Sequence, residues 1–369
     1  MVHWGVPSLR ICCNYDKKKM IKPGPRNLLT DVDGLTVGNA ADFAARSGVT
    51  VVMVEDGAVA SGDVRGAAPG TRETDLLDPT CMIERIDAVC LSGGSVHGLT
   101  SGDAVVRWLY ENDRGFSLNG WRLPIVPGAI INDLGMGGEM NWGTCPAYND
   151  LARVACENAG RDFALGNVGA GMGAFAGPIK AGLGSASAVS DDGVQVAALV
   201  VTNPFGSTLI PGGGTLWSWA LEQNGEMGQQ HPPGRASHID DELADSSDAF
   251  TDKDTGQPGN NTTLAVVATN ACLTKAQAKR VAMMAHDGMA RAIRPIHTPF
   301  DGDVVFALST TKMPLPEPAI RSVSHIGALA ADCLTRAIGR SVFEADALGD
   351  FLSYRESHSD AFADGPKTG

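Results

Sequence analysis

The stretch PGNNTTLAVVATN, Pro258 to Asn270, decides how the rest of the chain is read. A Gly/Asn turn runs into a strand that opens on two hydroxyl residues, Thr262 and Thr263, and continues through Leu264, Ala265, Val266, Val267 and Ala268. Turn chemistry gives way to β-propensity between Asn261 and Thr262. Two readings stand at this point. β-Branched residues suit the head of a half-buried strand, which by itself accounts for both threonines. Alternatively, a chain cut between Asn261 and Thr262 carries an α-amine of near-neutral pKa beside a hydroxyl that needs a base, and Thr262 becomes a nucleophile.

On the upstream side, residues 225–261 are polar, acid-rich and poor in core residues, which predicts a surface linker ending at that turn. Further back, Gly48 to Glu55, Ile86 to Leu91, Leu123 to Ile131 and Val194 to Thr202 read as strands. Helical spacing predicts helices over Thr100 to Asn112 and Asn149 to Asn158, the second with Asn149 as N-cap. Downstream, a helix is predicted over Thr274 to Ile293, a strand over Asp303 to Ser309 and a helix over about Ser322 to Ala337. This alternation is an α/β pattern. Residues 1–26 lack periodicity, end in Pro/Gly punctuation and read as an extension outside the fold.

Composition narrows the function classes. A formal charge of −13 over 369 residues argues against nucleic acid or an anionic membrane as partner. No apolar run reaches the roughly 18 residues of a spanning helix, so a soluble cytoplasmic protein is expected. The eight cysteines form no CxxC pair and the eight histidines no close-spaced ligand set, which gives neither a zinc site nor a disulfide framework a sequence basis. No cofactor is called for. The 45 glycines are dispersed among apolar strands and read as turns and close backbone approaches.

Two familiar strings fail on inspection. SGGSVHG lacks the second glycine of GxSxG, because His97 stands two residues after Ser95. The N–H groups of this turn, at Gly94 and Ser95, are instead expected to edge a substrate pocket. GAGMGA, Gly169 to Ala174, fits GxGxxA with Asp191 and Asp192 about twenty residues on, but Gly177, Pro178, Gly182 and Gly184 would break the helix that a dinucleotide site needs. That segment is read as a backbone-lined wall carrying Lys180. Asn203, at the end of VQVAALVVTN, either satisfies a turn or points N–H donors at an oxyanion. In HTPFDGD, Asp301 and Asp303 flank a glycine just before a strand. They are turn residues, or carboxylates that position and tune the Thr262 amine.

The order of these pieces resembles the DmpA-type family of self-cleaving amidohydrolases, which includes L-aminopeptidase/D-esterases, β-aminopeptidases and nylon-oligomer hydrolases. The resemblance is carried by NLLTDVDGLTVG, DVRGAAPGTRETDLLDP, LSGGSVHGL, LPIVPGAII, GAGMGAFAG with Lys180, LVVTNP, GNNTTLAVVATNA and RAIRPIHTPFDGDVVFAL, from Asn27 to beyond Leu308. It implies a four-layer αββα sandwich, one domain built from both fragments of a chain cut between Asn261 and Thr262. It also implies Thr262 as nucleophile, Asn203 as helper, Lys180 as the glycine-loop lysine, and Asp301 with Asp303 as the acidic pair. The implied substrate is a small peptide or amide, and the implied assembly a homo-oligomer of processed heterodimers. The chain departs from many relatives at two places: Asn132 stands where they have a pocket-facing aromatic residue, and Ala181 follows Lys180 in place of glycine. An acyltransferase using the same acyl-enzyme, or an uncleaved binding protein, is the alternative.

Overall fold

The computed structural model describes residues 21–134, 136–139, 141–142, 146–232 and 261–363. In chain order its strands are β1 (Ile21–Lys22), β2 (Leu35–Asp42), β3 (Ser47–Val64), β4 (Thr71–Arg72), β5 (Arg85–Ser92), β6 (Phe116–Leu118) and β7 (Trp121–Leu123). They continue as β8 (Gly128–Ile130), β9 (Phe175–Ala176), β10 (Ile179–Lys180), β11 (Leu183–Ser190), β12 (Gln195–Val201), β13 (Leu264–Ala271) and β14 (Val304–Met313). The long helices that pack on them are α1 (Ser101–Glu111), α2 (Tyr148–Glu157), α3 (Lys275–Ala292) and α4 (Ala319–Phe343).

The main sheet runs β1-β11-β12-β13-β14-β3-β5-β8-β4, with β2 also paired to β3. Strand β3 is 18 residues long and turns a corner at Glu55–Gly57, where Gly57 takes φ +70° and the register to β5 slips between Met53 and Ala58. Its first half pairs with β2 and β5, and its second half with β14. The sheet therefore doubles back on itself as two layers joined through one strand. Their facing sides form one core, in which Val37, Val52 and Leu91 meet Leu199, Val266 and Phe306. The outer side of β11–β14 carries α3 and α4, through Val196, Val267, Ala285 and Leu334. The outer side of β3 and β5 carries α1 and α2, through Val51, Cys90, Leu109 and Ala152. This is the αββα order.

Burial on both faces explains the unbroken apolar runs of the central strands. Along β13, Leu264, Val266 and Ala268 point to the inter-sheet core while Ala265 and Val267 point to the helices. Each fully buried Val or Leu there contributes about 1.5–3 kcal/mol. The helix that follows is stopped from fraying by a capping box, in which the Thr274 side chain accepts from the Gln277 N–H and the Gln277 side chain accepts from the Thr274 N–H.

Several local expectations are corrected. Leu123 to Ile131 is not one strand: Trp121–Leu123 pairs with Phe116–Leu118, Gly128–Ile130 joins the main sheet, and Pro124 and Pro127 lie between. Asn149 lies inside α2, whose cap position is Ala147. Residues 1–20 fall outside the described residues, but Ile21 and Lys22 pair with β11, and the Gly24 N–H donates to Ser187 Oγ at 3.0 Å, so residues 21–26 belong to the fold. The polar stretch expected as a linker from residue 225 begins packed. Met227 is buried beside Val342 and Phe362, and the Glu226 carboxylate accepts from Arg336 Nε at 2.6 Å. Residues 233–260, including the turn at 258–260, fall outside the described residues.

Candidate active site

Strand directions gather the site. β12 and β13 are antiparallel with Val201 opposite Leu264, while β13 and β14 are parallel with Leu264 opposite Val304. The end of β12, the start of β13 and the start of β14 therefore share one sheet edge. Asn203, Thr262 and Asp301–Asp303 are the residues just beyond those three strand ends. β11 begins opposite the end of β12, at Leu183 and Val201, so the segment carrying Lys180 arrives at the same edge. The end of β3, antiparallel to β14, brings the loop that starts at Arg65.

At the centre, Thr262 Oγ1 donates to the Asn261 carbonyl oxygen at 2.6 Å, and the same oxygen accepts the Gly302 N–H at 2.9 Å. The Thr262 N–H donates to the Asn203 carbonyl at 2.6 Å. Thr262 is 4% exposed and Asn261 6%, so this peptide bond is buried in the continuous chain. Gly302 has to be glycine. A Cβ there would stand 2.7 Å from Thr262 Oγ1 and 2.6 Å from the Ala68 carbonyl. Ala68 belongs to the glycine-rich loop after β3, whose N–H groups at Arg65, Gly66 and Ala68 donate to the Asp303 and Asp301 carbonyls.

The acidic pair is fully buried, and its oxygens are occupied. Asp301 accepts from the Phe205 N–H at 3.0 Å and from the Thr298 N–H and hydroxyl at 2.9 and 2.5 Å. Burial, with the neighbouring Asp303 charge second, raises its pKa. Asp303 accepts from the Thr263 N–H at 2.7 Å on one oxygen, and from His297 Nδ1 at 2.8 Å and the His297 N–H at 3.1 Å on the other.

The opposite bank is built from glycine-rich backbone. Lys180 Nζ donates to the carbonyls of Gly171 at 3.3 Å, Ala174 at 2.9 Å and Ala181. Those three acceptors match the three N–H bonds of an ammonium. Burial pushes the Lys180 pKa down to about 7, against the pull of Asp133, which favours the charge. Asp133, buried by the same segment, has its pKa pushed up to about 6 by burial. Its Oδ1 accepts the Gly94 N–H at 2.7 Å, and hydrogen bonding by that N–H and by the Ser47 side chain pulls against the effect of burial. Asn203 joins the two banks. Its Oδ1 accepts the Phe175 N–H at 3.1 Å, next to the Lys180 cradle, and its Nδ2 lies 3.5 Å from the Asn132 carbonyl.

Thr262, Asn261, Asn203, Asp301 and Asp303 are thus brought into one connected cluster, and Asn132 touches it through its backbone. Lys180 reaches it through Phe175 and Asn203, with no direct bond to Thr262. Gly94 and Ser95 differ from expectation. Their N–H groups are committed to Asp133 and to the Ile131 carbonyl, at 2.7 and 3.0 Å, so they anchor the wall and offer no free donors. Gly302 and Asp133 escaped the sequence reading. The signal for the first was a glycine between two acids, and for the second an acid closing the PGAIIN run. A cavity of about 470 Å³ lined by Gly177, Pro178, Leu209, Ile210, Gly214 and His358 has none of these catalytic candidates in its wall. Among the described residues, no helix is long and apolar enough to cross a membrane.

Comparison with known proteins agrees with this architecture. An uncharacterized aminopeptidase of Mycobacterium tuberculosis is 41% identical over 355 residues, covering 91% of this chain and 99% of that one. A 6-aminohexanoate-oligomer endohydrolase of Kocuria sp. is 30% identical over 316 residues, covering 82% of this chain and 80% of its own. The solved L-aminopeptidase D-Ala-esterase/amidase of Ochrobactrum anthropi, described as a variant of the Ntn hydrolase fold, superposes with a TM-score of 0.66. That likeness holds at 19% identity over 93% of this chain and 96% of the other, and is one of fold. The profile of peptidase family S58 matches residues 27–353. On that match and the Mycobacterium relative together, the chain belongs to peptidase family S58.

Proposed function

We propose that this protein cuts its own chain between Asn261 and Thr262 and then hydrolyses amide bonds of short peptides or amino-acid amides through the freed Thr262. The observation that carries the reading is the Asn261 carbonyl, held between the Thr262 hydroxyl and the Gly302 N–H. Attack of Oγ1 on the Asn261 carbonyl carbon puts charge on an oxygen that the Gly302 N–H already faces. Collapse breaks the C–N bond, the Thr262 nitrogen takes the proton, and the Asn261 acyl group is left as an ester on Oγ1. Water then hydrolyses the ester and leaves Thr262 as a new N-terminus.

The freed amine, with an ordinary α-amino pKa of about 7.7–8.0, is the base for the same hydroxyl in turnover. The Asn203 carbonyl that takes the Thr262 N–H keeps that nitrogen oriented. The Asn203 side-chain N–H groups, held among the described residues by the long contact to Asn132, are donors for a substrate oxyanion. Lys180, with three carbonyls on its three N–H bonds, supplies positive charge and holds the wall, and is not the proton carrier. Asp301 and Asp303 fix Phe205 and Thr263 on either side of the nucleophile. The named activities of the Mycobacterium and Kocuria relatives support amide hydrolysis as the reaction class. Short peptide and amino-acid amides, incubated with the enzyme and acid-quenched, should leave an acyl mass adduct on Thr262. Turnover with the acyl group found on another residue would overturn the assignment.

A further inference from the structure

Behind Asp303, two histidines form a chain that runs toward the surface. His297 Nδ1 lies 2.8 Å from Asp303 Oδ2, His297 Nε2 lies 3.2 Å from His286 Nδ1, and His286 Nε2 lies 3.1 Å from the Asp63 carbonyl oxygen. The rings meet edge to face with centroids 4.8 Å apart. His286 is buried and His297 is 19% exposed in its side chain. His297 also takes φ +59°, which a non-glycine residue adopts only when held, and its own N–H is held by Asp303.

Counting protons makes the chain informative. The three contacts join four ring nitrogens to two oxygen acceptors, so closing all three requires three ring protons. Two neutral histidines supply two. If both are neutral and His297 donates to Asp303, His286 has one proton for two contacts: given to His297 it leaves a bare Nε2 facing the Asp63 carbonyl, and kept on Nε2 it leaves two ring lone pairs facing each other. With one more proton every contact is satisfied: His297 donates from both nitrogens, and His286 donates from Nε2. Charges around the pair favour this arrangement. Asp303, with Asp301 beyond it, lies at one end. At the other, Asp63 lies 3.5 Å from His286 Nε2 through Oδ2 and is itself paired with Lys279 at 2.7 Å and Arg65 at 2.8 Å. Burial, with the His297 charge second, pushes the His286 pKa down to about 3, which keeps His286 neutral.

We propose that His297 is a positioning residue, doubly protonated and clamped between Asp303 and a neutral His286, and that its extra proton compensates the Asp303 charge that fixes the Thr263 N–H beside the nucleophile. Without that proton one of the two His286 contacts has to open, and Asp303 is left uncompensated. The effect on turnover rests on the function proposed above, whereas the ring protonation does not.

The test is ¹⁵N NMR of the histidine rings in the full chain, in wild type and in Thr262→Ala, with His286→Phe and His297→Gln for assignment. At pH 7.5, about one unit above the ordinary histidine pKa, His297 should carry protons on both nitrogens and His286 on Nε2 only. In His286→Phe, His297 should lose its second proton about one pH unit lower, a tenfold weaker proton affinity. The kcat of that variant should fall above pH 7 and recover toward wild type below it. Singly protonated His297 at pH 7.5, with His286 protonated on either nitrogen, would overturn the proposal, whatever the kinetics. If His286→Phe does not fold, the wild-type spectrum decides alone. If the spectrum is as expected but the protein neither cleaves nor turns over, the failure belongs to the Thr262 reading.

Discussion

The two banks of the site are built on opposite principles. On the acid-loop bank, both oxygens of Asp301 and of Asp303 are occupied by short hydrogen bonds from Phe205, Thr298, Thr263 and His297. Such carboxylates are clamps: moving one leaves a buried donor orphaned, and taking up a proton breaks a bond. On the glycine bank, Lys180 and Asp133 are buried near each other, with burial pushing the lysine pKa down to about 7 and the aspartate pKa up to about 6. That bank holds charge which can respond. Under the proposed function, the difference gives geometry to the acids and electrostatics to the lysine, with Asn203 tying one to the other.

The sharpest way to break this division is Lys180→Met, which keeps an unbranched side chain one atom shorter and removes the charge. Turnover should fall on the order of 10²-fold, about 2.7 kcal/mol of lost electrostatic stabilisation. A loss below tenfold would make Lys180 a packing residue. Next comes Asp301→Asn. An amide has one acceptor fewer, so a Thr298 or Phe205 N–H is orphaned, and denaturant unfolding should show a loss of about 1–3 kcal/mol. A variant that lost activity with unchanged stability would make Asp301 more than a clamp.

A smaller effect is expected at Asp133→Asn. The amide oxygen still accepts the Gly94 N–H, but the charge that favours protonated Lys180 is gone. The lysine is an ammonium below its pKa of about 7 and loses that proton as pH rises. The variant should therefore lose the Lys180-dependent part of kcat at lower pH than wild type. An unmoved alkaline limb would uncouple the two groups. The smallest effect belongs to Ser95→Ala, whose hydroxyl makes no hydrogen bond among the described residues. Within about twofold of wild-type activity is expected, and a large loss would revive the serine-elbow reading.

The legible part of the molecule was local. Apolar runs such as Leu264 to Ala268 and Val196 to Val201 announce buried strands, and strand ends are where Asn203, Thr262 and the two aspartates stand, so period and turn chemistry found them. The joining of the two β-layers through the corner in β3 could not be read, because Glu55 to Gly57 looks like any polar break. Glu226 looked like linker because its partner Arg336 lies 110 residues away. Asp133 was missed for the same reason. A carboxylate after an apolar run stands out only once the folded chain buries it and shifts its pKa. Asn149 was a sound cap by residue type that the tertiary packing of α2 did not use.

The most direct measurement is a denaturing intact-mass spectrum of the purified protein with N-terminal sequencing of the smaller species. Apportioning 38.4 kDa by length, Thr262 as a self-releasing nucleophile gives pieces of roughly 27 and 11 kDa, the smaller beginning Thr-Thr-Leu, and Thr262→Ala gives one uncut chain. A single full-length species from the wild-type protein with amidase activity intact would contradict the central claim, because the hydroxyl would then be acting without the amine assigned as its base.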